Sequence, residues 1–123
     1  MVVVDASALA AIAFDEADAE GMVARLKGES LHAPSLFELE MVNATISRCC
    51  RDPARAGSFI EGLATVLGMP IAIHAVAPLG VLSVALRHKL TAYDAAYLWL
   101  SGELGAPLVT LDKQLAAAAK KHL

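Results

Sequence analysis

The hydrophobic residues of this chain form four short runs separated by longer amphipathic stretches. The runs cover residues 2–4, 71–73, 108–110 and, more weakly, 31–33, and they lack the sustained alternation with polar residues of a strand with one wet face. Helix-like sequence follows each run, with apolar residues three or four apart, as at Leu36, Leu39, Val42 and Ile46. Apolar strands that alternate with helices are typical of a parallel sheet covered on both faces. We therefore expect a three-layer α/β/α fold with a small parallel sheet of four to five strands.

One domain is the expected organisation, because 123 residues suit a single hydrophobic core and domains commonly hold ~100–150 residues. The chain is 57% hydrophobic and 19% charged, which excludes an intrinsically disordered protein. Its two cysteines, Cys49 and Cys50, are neighbours and cannot provide the spaced pairs of a disulfide framework or a structural zinc site. We therefore expect a single domain over residues 1–123 in the reducing cytoplasm.

A membrane-spanning helix is the other structure to consider, since residues 62–86 carry no formal charge over at least the ~20 residues such a helix needs. Gly68, Pro70, Pro78 and Gly80 interrupt this stretch. These residues divide it into a helix end, a strand and a new helix. We expect no membrane contact.

Two helix starts carry the sequence pattern of a capping box. Ser35 is followed by Glu38, and Thr91 is followed by Asp94, each pair with the spacing S/T-x-x-acid. In such a box the hydroxyl of the first residue accepts a hydrogen bond from the backbone N–H of the last. The pattern predicts helices that begin after Ser35 and after Thr91.

Four acidic residues lie close to predicted strand ends. Asp5 follows the first strand and Asp112 the last, Glu40 lies in the first turns of the helix after the second strand, and Asp94 lies in the first turn of the helix before the last strand. Open parallel sheets bind ligands at the carboxyl ends of their strands. The four carboxylates are therefore expected to converge on one edge of the sheet.

Each acid also has a purely local explanation. Asp5 and Asp112 can be N-caps, and Asp94 can complete its capping box. Glu40 shares one polar stripe with Asn43, and such a stripe can simply face solvent. The sequence leaves these alternatives open.

Converging carboxylates would have a chemical consequence that separate caps lack. They repel one another, so some pKa values rise unless a cation neutralises the group. Oxygen ligands without histidine or cysteine favour hard ions such as Mg²⁺ or Mn²⁺. Such ions can activate water and stabilise charge on a phosphate oxygen, which suits phosphodiester hydrolysis.

Three segments together resemble a known family. VVVDASAL at the start, APSLFELEMVNA in the middle and LTAYDAAYLWLSGELGAPLVTLDKQL near the end are similar to the PIN-domain ribonucleases, specifically the VapC-like toxins of type II toxin–antitoxin systems. The resemblance covers residues 2–115 in order and spacing. It implies an endoribonuclease that depends on Mg²⁺ or Mn²⁺.

The resemblance also implies roles for individual residues. The family's metal-binding catalytic acids correspond to Asp5, Glu40, Asp94 and Asp112. Its supporting hydroxyl and amide residues correspond to Ser7, Thr110 and Asn43. Glu38 also lies near the glutamate position, and Glu40 is preferred because its six-residue distance from Pro34 fits the family pattern.

Partners follow from the same resemblance: an RNA substrate, a small antitoxin whose C-terminal segment blocks the active site, and a second copy of the chain in a homodimer. Five basic residues are candidates for contacts with RNA phosphates, namely Arg48, Arg51, Arg55, Arg87 and Lys89. Solvated helix ends explain these residues equally well, because basic groups there complement the helix dipole.

The net charge can be interpreted in two ways. A formal charge of −3 argues against a protein that coats nucleic acid. Subtracting the four candidate acids from −3 leaves +1 for the rest of the chain, so the acidity is concentrated at one place.

The alternatives to a nuclease are a catalytically silent binding module and a receiver-like signalling domain. A receiver domain needs an acidic pair after the first strand, whereas Asp5 is followed by Ala6.

Overall fold

Strands and helices alternate through residues 1–122, which are the residues that the computed structural model describes. The strands are β1 (Val2–Val4), β2 (Leu31–Pro34), β3 (Ile71–His74) and β4 (Leu108–Val109). The α-helices are α1 (Ala6–Ala13), α2 (Ala19–Leu26), α3 (Phe37–Arg51), α4 (Ala56–Leu67), α5 (Pro78–His88), α6 (Ala92–Leu104) and α7 (Lys113–His122). A 3-10 turn, Pro53–Arg55, joins α3 to α4.

The four strands form one parallel sheet in the order β3-β2-β1-β4. Val2 pairs with Leu31 of β2, and Val3 pairs with Leu108 of β4, so β1 lies inside the sheet. Helix α6 packs against β1 and β2, while α1 packs against α2, α3 and α4. The predicted three-layer α/β/α fold with a parallel sheet is confirmed.

The core is built around β1 and α6. The three valines of β1 are fully buried, and so is most of α6 between Ala95 and Ser101. Burying a valine or leucine side chain contributes about 1.5–3 kcal/mol, so both elements contribute substantially to stability. The site residue Asp5 directly follows β1, and Asp94 lies in the first turn of α6.

Strand β3 departs from the expectation of a sheet covered on both faces. It is the edge strand next to β2, and Ile73 is 42% exposed. The apolar sequence of residues 71–73 does not distinguish an inner strand from an edge strand. The strand ends at His74 and is followed by Ala75, so no carboxylate of the kind a receiver domain requires lies at its end.

Helix α3 buries a different face from the one its spacing predicts. The predicted apolar series includes Leu39 and Ile46, which are 72% and 54% exposed. The face that packs into the core carries Phe37, Met41 and Thr45 instead. Both faces have apolar residues at helical spacing, so periodicity alone could not select the buried one.

Of the two predicted capping boxes, one is correct. Thr91 caps α6, and its hydroxyl accepts a hydrogen bond from the Asp94 N–H at 3.2 Å. The box at Ser35 and Glu38 is wrong, because α3 begins at Phe37 without a side-chain cap. The Ser35 N–H instead donates to the His74 carbonyl at 2.9 Å, which extends the β2–β3 pairing by one residue.

None of the helices within residues 1–122 combines the length and the apolar character needed to cross a membrane.

Candidate active site

Asp5 lies where β1 ends and α1 begins, and hydrogen bonds hold both of its carboxylate oxygens. Oδ1 accepts from the Ala8 N–H at 3.1 Å and from the Ser7 hydroxyl at 2.7 Å. Oδ2 accepts from the Thr110 hydroxyl. The residue is only 5% exposed. Asp5 therefore caps α1 and at the same time presents a fixed carboxylate at the carboxyl edge of the sheet.

Ser7 and Thr110 join the ends of β1 and β4 around this carboxylate. The Leu111 N–H donates to the Ser7 hydroxyl at 3.0 Å, and the Asp112 N–H donates to the Thr110 hydroxyl at 3.0 Å. Each hydroxyl thus donates to Asp5 and accepts from the chain that follows β4. These hydrogen bonds fix the position of Leu111 and Asp112 relative to Asp5.

Asp112 also acts as a helix cap. Its Oδ1 accepts a hydrogen bond from the Leu115 N–H at 2.9 Å at the start of α7, and its side chain is exposed to solvent. Asp5 and Asp112 thus each cap a helix and also lie at the same edge of the sheet. Helix capping and membership of the acidic cluster are therefore compatible.

Glu40 is held by a residue that the sequence did not indicate as part of the site. It lies in the first turn of α3, half-buried, and its Oε1 accepts a hydrogen bond from the Tyr97 hydroxyl. Tyr97 is only 1% exposed. The one available signal was its position three residues after Asp94, on the same face of α6. Glu38, two residues earlier on the same helix, is exposed to solvent.

The acids interact strongly enough to perturb one another. Burial raises the pKa of Asp5, and the negative charge of Asp112 adds to the rise against the hydrogen bonds from Thr110, Ser7 and Ala8. Burial likewise raises the pKa of Asp94, with repulsion from Asp112 and Asp5 as further causes.

Glu40 belongs to the same electrostatic cluster. Burial raises its pKa, and repulsion from Asp94 and Asp5 adds to the rise, while the hydrogen bond from Tyr97 opposes it. Burial and the Glu40 carboxylate also raise the pKa of Tyr97, so its hydroxyl keeps its proton and remains a donor. The four acids predicted from the sequence thus form one mutually repelling group at the sheet edge.

Comparison with known proteins identifies the family of this chain. The PIN-domain family profile matches residues 2–121. Ribonuclease VapC12 of Mycobacterium tuberculosis is 34% identical over 119 residues, covering 94% of this chain and 90% of that protein. Ribonuclease VapC3 of Pyrobaculum aerophilum is 33% identical over 120 residues, covering 93% of this chain and 91% of that protein. This chain belongs to the PIN-domain family of VapC ribonucleases.

Solved structures show the same fold. PAE2754 of Pyrobaculum aerophilum aligns with a TM-score of 0.77 at 31% identity, over 97% of this chain and 86% of that chain. VapC20 of Mycobacterium tuberculosis, a toxin that cleaves the sarcin–ricin loop, aligns with a TM-score of 0.68 at 16% identity, over 96% of this chain and 95% of that chain. With membership of the PIN-domain family established, a receiver-like domain is excluded as an alternative.

Two further predicted residues, Asn43 and Arg48, lie beyond Glu40 on α3. Asn43 is exposed on α3, one turn after Glu40, and its side chain makes no hydrogen bond within residues 1–122. Arg48 lies eight residues beyond Glu40, about 12 Å along the helix. It pairs with Glu16 at 2.9 Å and stacks on Phe14, with its guanidinium carbon 4.5 Å from the ring centroid.

Two further arginines share the Arg48 end of α3. Arg55 stacks on Phe59, with its guanidinium carbon 4.9 Å from the ring centroid, and lies 3.9 Å from the Asp52 carboxylate. Arg51 is exposed and lines a cleft together with Arg48 and Arg55. Two of the three arginines in this group thus have partners within the chain, and none lies beside the carboxylates.

Proposed function

We propose that this chain is a metal-dependent endoribonuclease that hydrolyses RNA phosphodiester bonds as the toxin of a toxin–antitoxin pair. The observation that carries the proposal is the cluster of mutually repelling carboxylates at the sheet edge. Burial and repulsion between like charges disfavour the ionised form of a carboxyl group unless a cation compensates the charge. The ribonuclease names of relatives that align over nearly the whole chain support RNA as the substrate.

The donor set fits Mg²⁺ or Mn²⁺, because it contains oxygen atoms and neither histidine nor cysteine. Asp5 and Asp94 would be the principal ligands, with Glu40 and Asp112 binding a second ion or orienting the attacking water. Within residues 1–122, no three acidic, histidine or cysteine side chains lie as close together as the ligands of one ion. Mg²⁺ usually binds through one or two carboxylates and several water molecules, so a site of this kind does not need three such side chains. When bound, the ion would lower the pKa of a water molecule and stabilise charge on a phosphate oxygen.

The surrounding residues prepare the carboxylates for this role. Ser7 and Thr110 occupy both oxygens of Asp5 and fix its rotamer. The Tyr97 hydroxyl of α6 donates a hydrogen bond to the Glu40 carboxylate of α3 and restricts its rotation. Such preorganisation reduces the reorganisation needed in the transition state. Water attacking in line at phosphorus would leave a 5′-phosphate and a 3′-hydroxyl.

Metal titration tests the proposal directly. Mg²⁺ or Mn²⁺ should raise the thermal stability of the protein, by about 2.7 kcal/mol at a concentration one hundred times the Kd, because only the folded chain assembles the four carboxylates. Cleavage of cellular RNA should appear with the metal and stop on addition of EDTA.

The contrary result is equally specific. Ca²⁺ and K⁺ at matched ionic strength provide controls for nonspecific salt effects on stability and on RNA. If calorimetry detects no Mg²⁺ or Mn²⁺ binding and RNA survives in both metals, the chain is a catalytically silent binding module.

The toxin role brings two further expectations. A small cognate antitoxin protein would silence the enzyme by covering its active site, and both proteins would meet in the cytoplasm, where RNA is present. The names of the VapC relatives support this role.

A homodimer is also part of the proposal, and helix α5 offers the surface for it. Leu79, Leu82 and Leu86 are 80%, 52% and 72% exposed on this one helix. Leu82 and Leu86 also line an apolar groove together with Val81 and Leu90. An exposed apolar patch of this kind marks an interaction surface.

Leu86→Glu should convert the dimer to a monomer in sedimentation experiments, because it places a charge in the buried interface. Val23→Glu on α2, where the native side chain is 53% exposed, is the matched control and should leave the association state unchanged. A wild-type protein that sediments as a monomer at all concentrations would contradict the dimer.

A further inference from the structure

Half of the basic side chains lie on two segments outside the carboxylate cluster, one from the end of α5 to Lys89 and the other on α7. They are Arg87, Lys89, Lys113, Lys120 and Lys121, five of the ten lysines and arginines of the chain. All five are exposed, and none forms an ion pair with an acidic side chain within residues 1–122. In contrast, Arg48 and Arg55 at the end of α3 are both paired with acids.

Part of this basic group lines a groove of about 370 Å³ between the end of α5 and one face of α7. Arg87, His88 and Lys89 form one wall. Gln114 and Lys121 lie on the other wall, with alanines between them. Residues 114, 117, 118 and 121 have the three- and four-residue spacing of a single helix face. Small side chains between polar ends leave the floor of the groove open.

The groove begins beside the carboxylates. Asp112 caps α7, and Gln114 follows it by two residues within the first turn of the same helix. On the other wall, Lys89 precedes Thr91 by two residues, and Thr91 caps the helix that carries Asp94. From Gln114 to Lys121 the α7 face extends about 10 Å at 1.5 Å per residue. That length corresponds to about three nucleotides at 3.4 Å per nucleotide.

Helix dipoles account for the position of each cation, since Arg87 lies in the last turn of α5 and Lys121 in the last turn of α7, but they do not account for the shared groove. One or two cations in the last turn of a helix complement its C-terminal partial charge, and the effect fades within that turn. Here the cations of two helices face each other across a shared groove. His88 adds its ring, with its Nε2 3.0 Å from His122 Nδ1. Burial lowers the pKa of His122, and the nearby charges of His88 and Arg87 lower it further. Protonation of the His122 ring is therefore disfavoured.

We propose that this α5–α7 groove binds the phosphodiester backbone of the RNA strand next to the bond that is cleaved. Unpaired cations that repel one another are stabilised by a polyanion, whose phosphates replace the counterions around them. The groove is a positioning surface, because its side chains contact the flanking strand and not the reacting phosphate. This inference rests on the proposed ribonuclease function and adds the direction in which the substrate leaves the site.

Charge reversal tests the groove. The double variant Arg87→Glu/Lys121→Glu should raise the KM for a long single-stranded RNA at least tenfold, with kcat within about twofold. Arg25→Glu/Lys27→Glu on α2 changes the net charge by the same amount at exposed positions and is the matched control. The slope of log Kd against log salt should decrease by about 0.7 for each phosphate that the protein no longer neutralises, and only in the groove variant.

Two measurements separate failure of the groove from other failures. RNA binding to Asp5→Asn protein, with and without the groove substitutions, reports on the groove even if no cleavage is ever seen. The milder pair Arg87→Gln/Lys121→Gln, together with thermal melts, distinguishes weaker phosphate binding from a damaged fold. Metal-induced stabilisation should be the same in wild type and both groove variants, because no carboxylate is changed.

Three outcomes would overturn the proposal. Equally weakened RNA binding in the groove variant and the α2 control would show a nonspecific effect of net charge. Unchanged RNA binding in a folded groove variant would show that the strand follows another path. Reduced binding of polyglutamate with RNA binding unaffected would assign the groove to an acidic protein segment instead.

Discussion

Replacing Asp5 with asparagine is expected to reduce RNA cleavage by at least about a hundredfold, as the loss of a preorganised electrostatic group does in other enzymes. Asparagine keeps the shape of the side chain and can still accept the hydrogen bond that the Ala8 N–H gives to Asp5. It removes the most buried negative charge of the cluster, and with it one ligand charge.

The fold should survive this substitution. Because burial raises the pKa of Asp5, the charged form is disfavoured in the folded protein, and a neutral side chain relieves that cost. We expect a melting temperature at least equal to that of the wild type without metal, and a smaller increase on addition of Mg²⁺. In cells, wild-type protein should arrest growth and Asp5→Asn protein should not, while co-expression of the cognate antitoxin should relieve the arrest.

Asp18→Asn is the matched control for this experiment. Asp18 lies at the N-terminus of α2 and makes no capping hydrogen bond through its side chain. Its replacement changes the net charge equally and should leave cleavage and growth arrest intact. Full activity of the Asp5→Asn protein would refute the assignment of the active site.

Replacing Gly62 with alanine should destabilise the protein by about 3 kcal/mol, at the upper end of the usual cost of overpacking. A Cβ atom at this position of α4 would lie 2.1 Å from the Ala13 carbonyl oxygen of α1 and 2.9 Å from its carbonyl carbon. Both obstructing atoms belong to the backbone, so no side-chain rotation can make room. The two helices would have to separate, which would disturb the packing of α1 behind Asp5.

Gly57→Ala provides a control on the same helix. A Cβ atom there would meet no heavy atom within 4 Å, so the substitution should be neutral or stabilise the protein by up to about 1 kcal/mol. Urea unfolding of the two variants measures the difference. Equal stability of Gly62→Ala and wild type would show that α1 and α4 do not approach as closely as described.

Part of the site could be predicted from the sequence because three of its acids follow local rules. Asp5 and Asp112 come directly after strand sequences, and Asp94 lies three residues after a capping threonine, so each could be located without knowledge of the fold. Convergence then followed from the parallel arrangement of the strands. Glu40 was chosen over Glu38 from the family resemblance; in the structure Glu38 is exposed to solvent, whereas Glu40 accepts a hydrogen bond from Tyr97.

Other features depended on contacts between distant segments. The Tyr97 hydroxyl reaches Glu40 across 57 positions of the chain, from α6 to α3. The buried face of α3 and the failed cap at Ser35 have the same origin. Leu39 and Met41 both suit a buried helix position, and only packing against α1 decided between their faces. The Ser35 N–H takes part in the pairing of β2 with β3, which a local capping rule does not consider.

The sequence by itself determined the layered parallel fold, the acids at the strand ends and the oxygen-only chemistry of the site, because strand patterning, caps and ligand preference are local properties. The tertiary structure alone decided which helix faces are buried, that Tyr97 holds Glu40, and that cations from α5 and α7 share one groove beside the acids. These features require residues far apart in the chain to meet, and their meeting depends on how the helices pack.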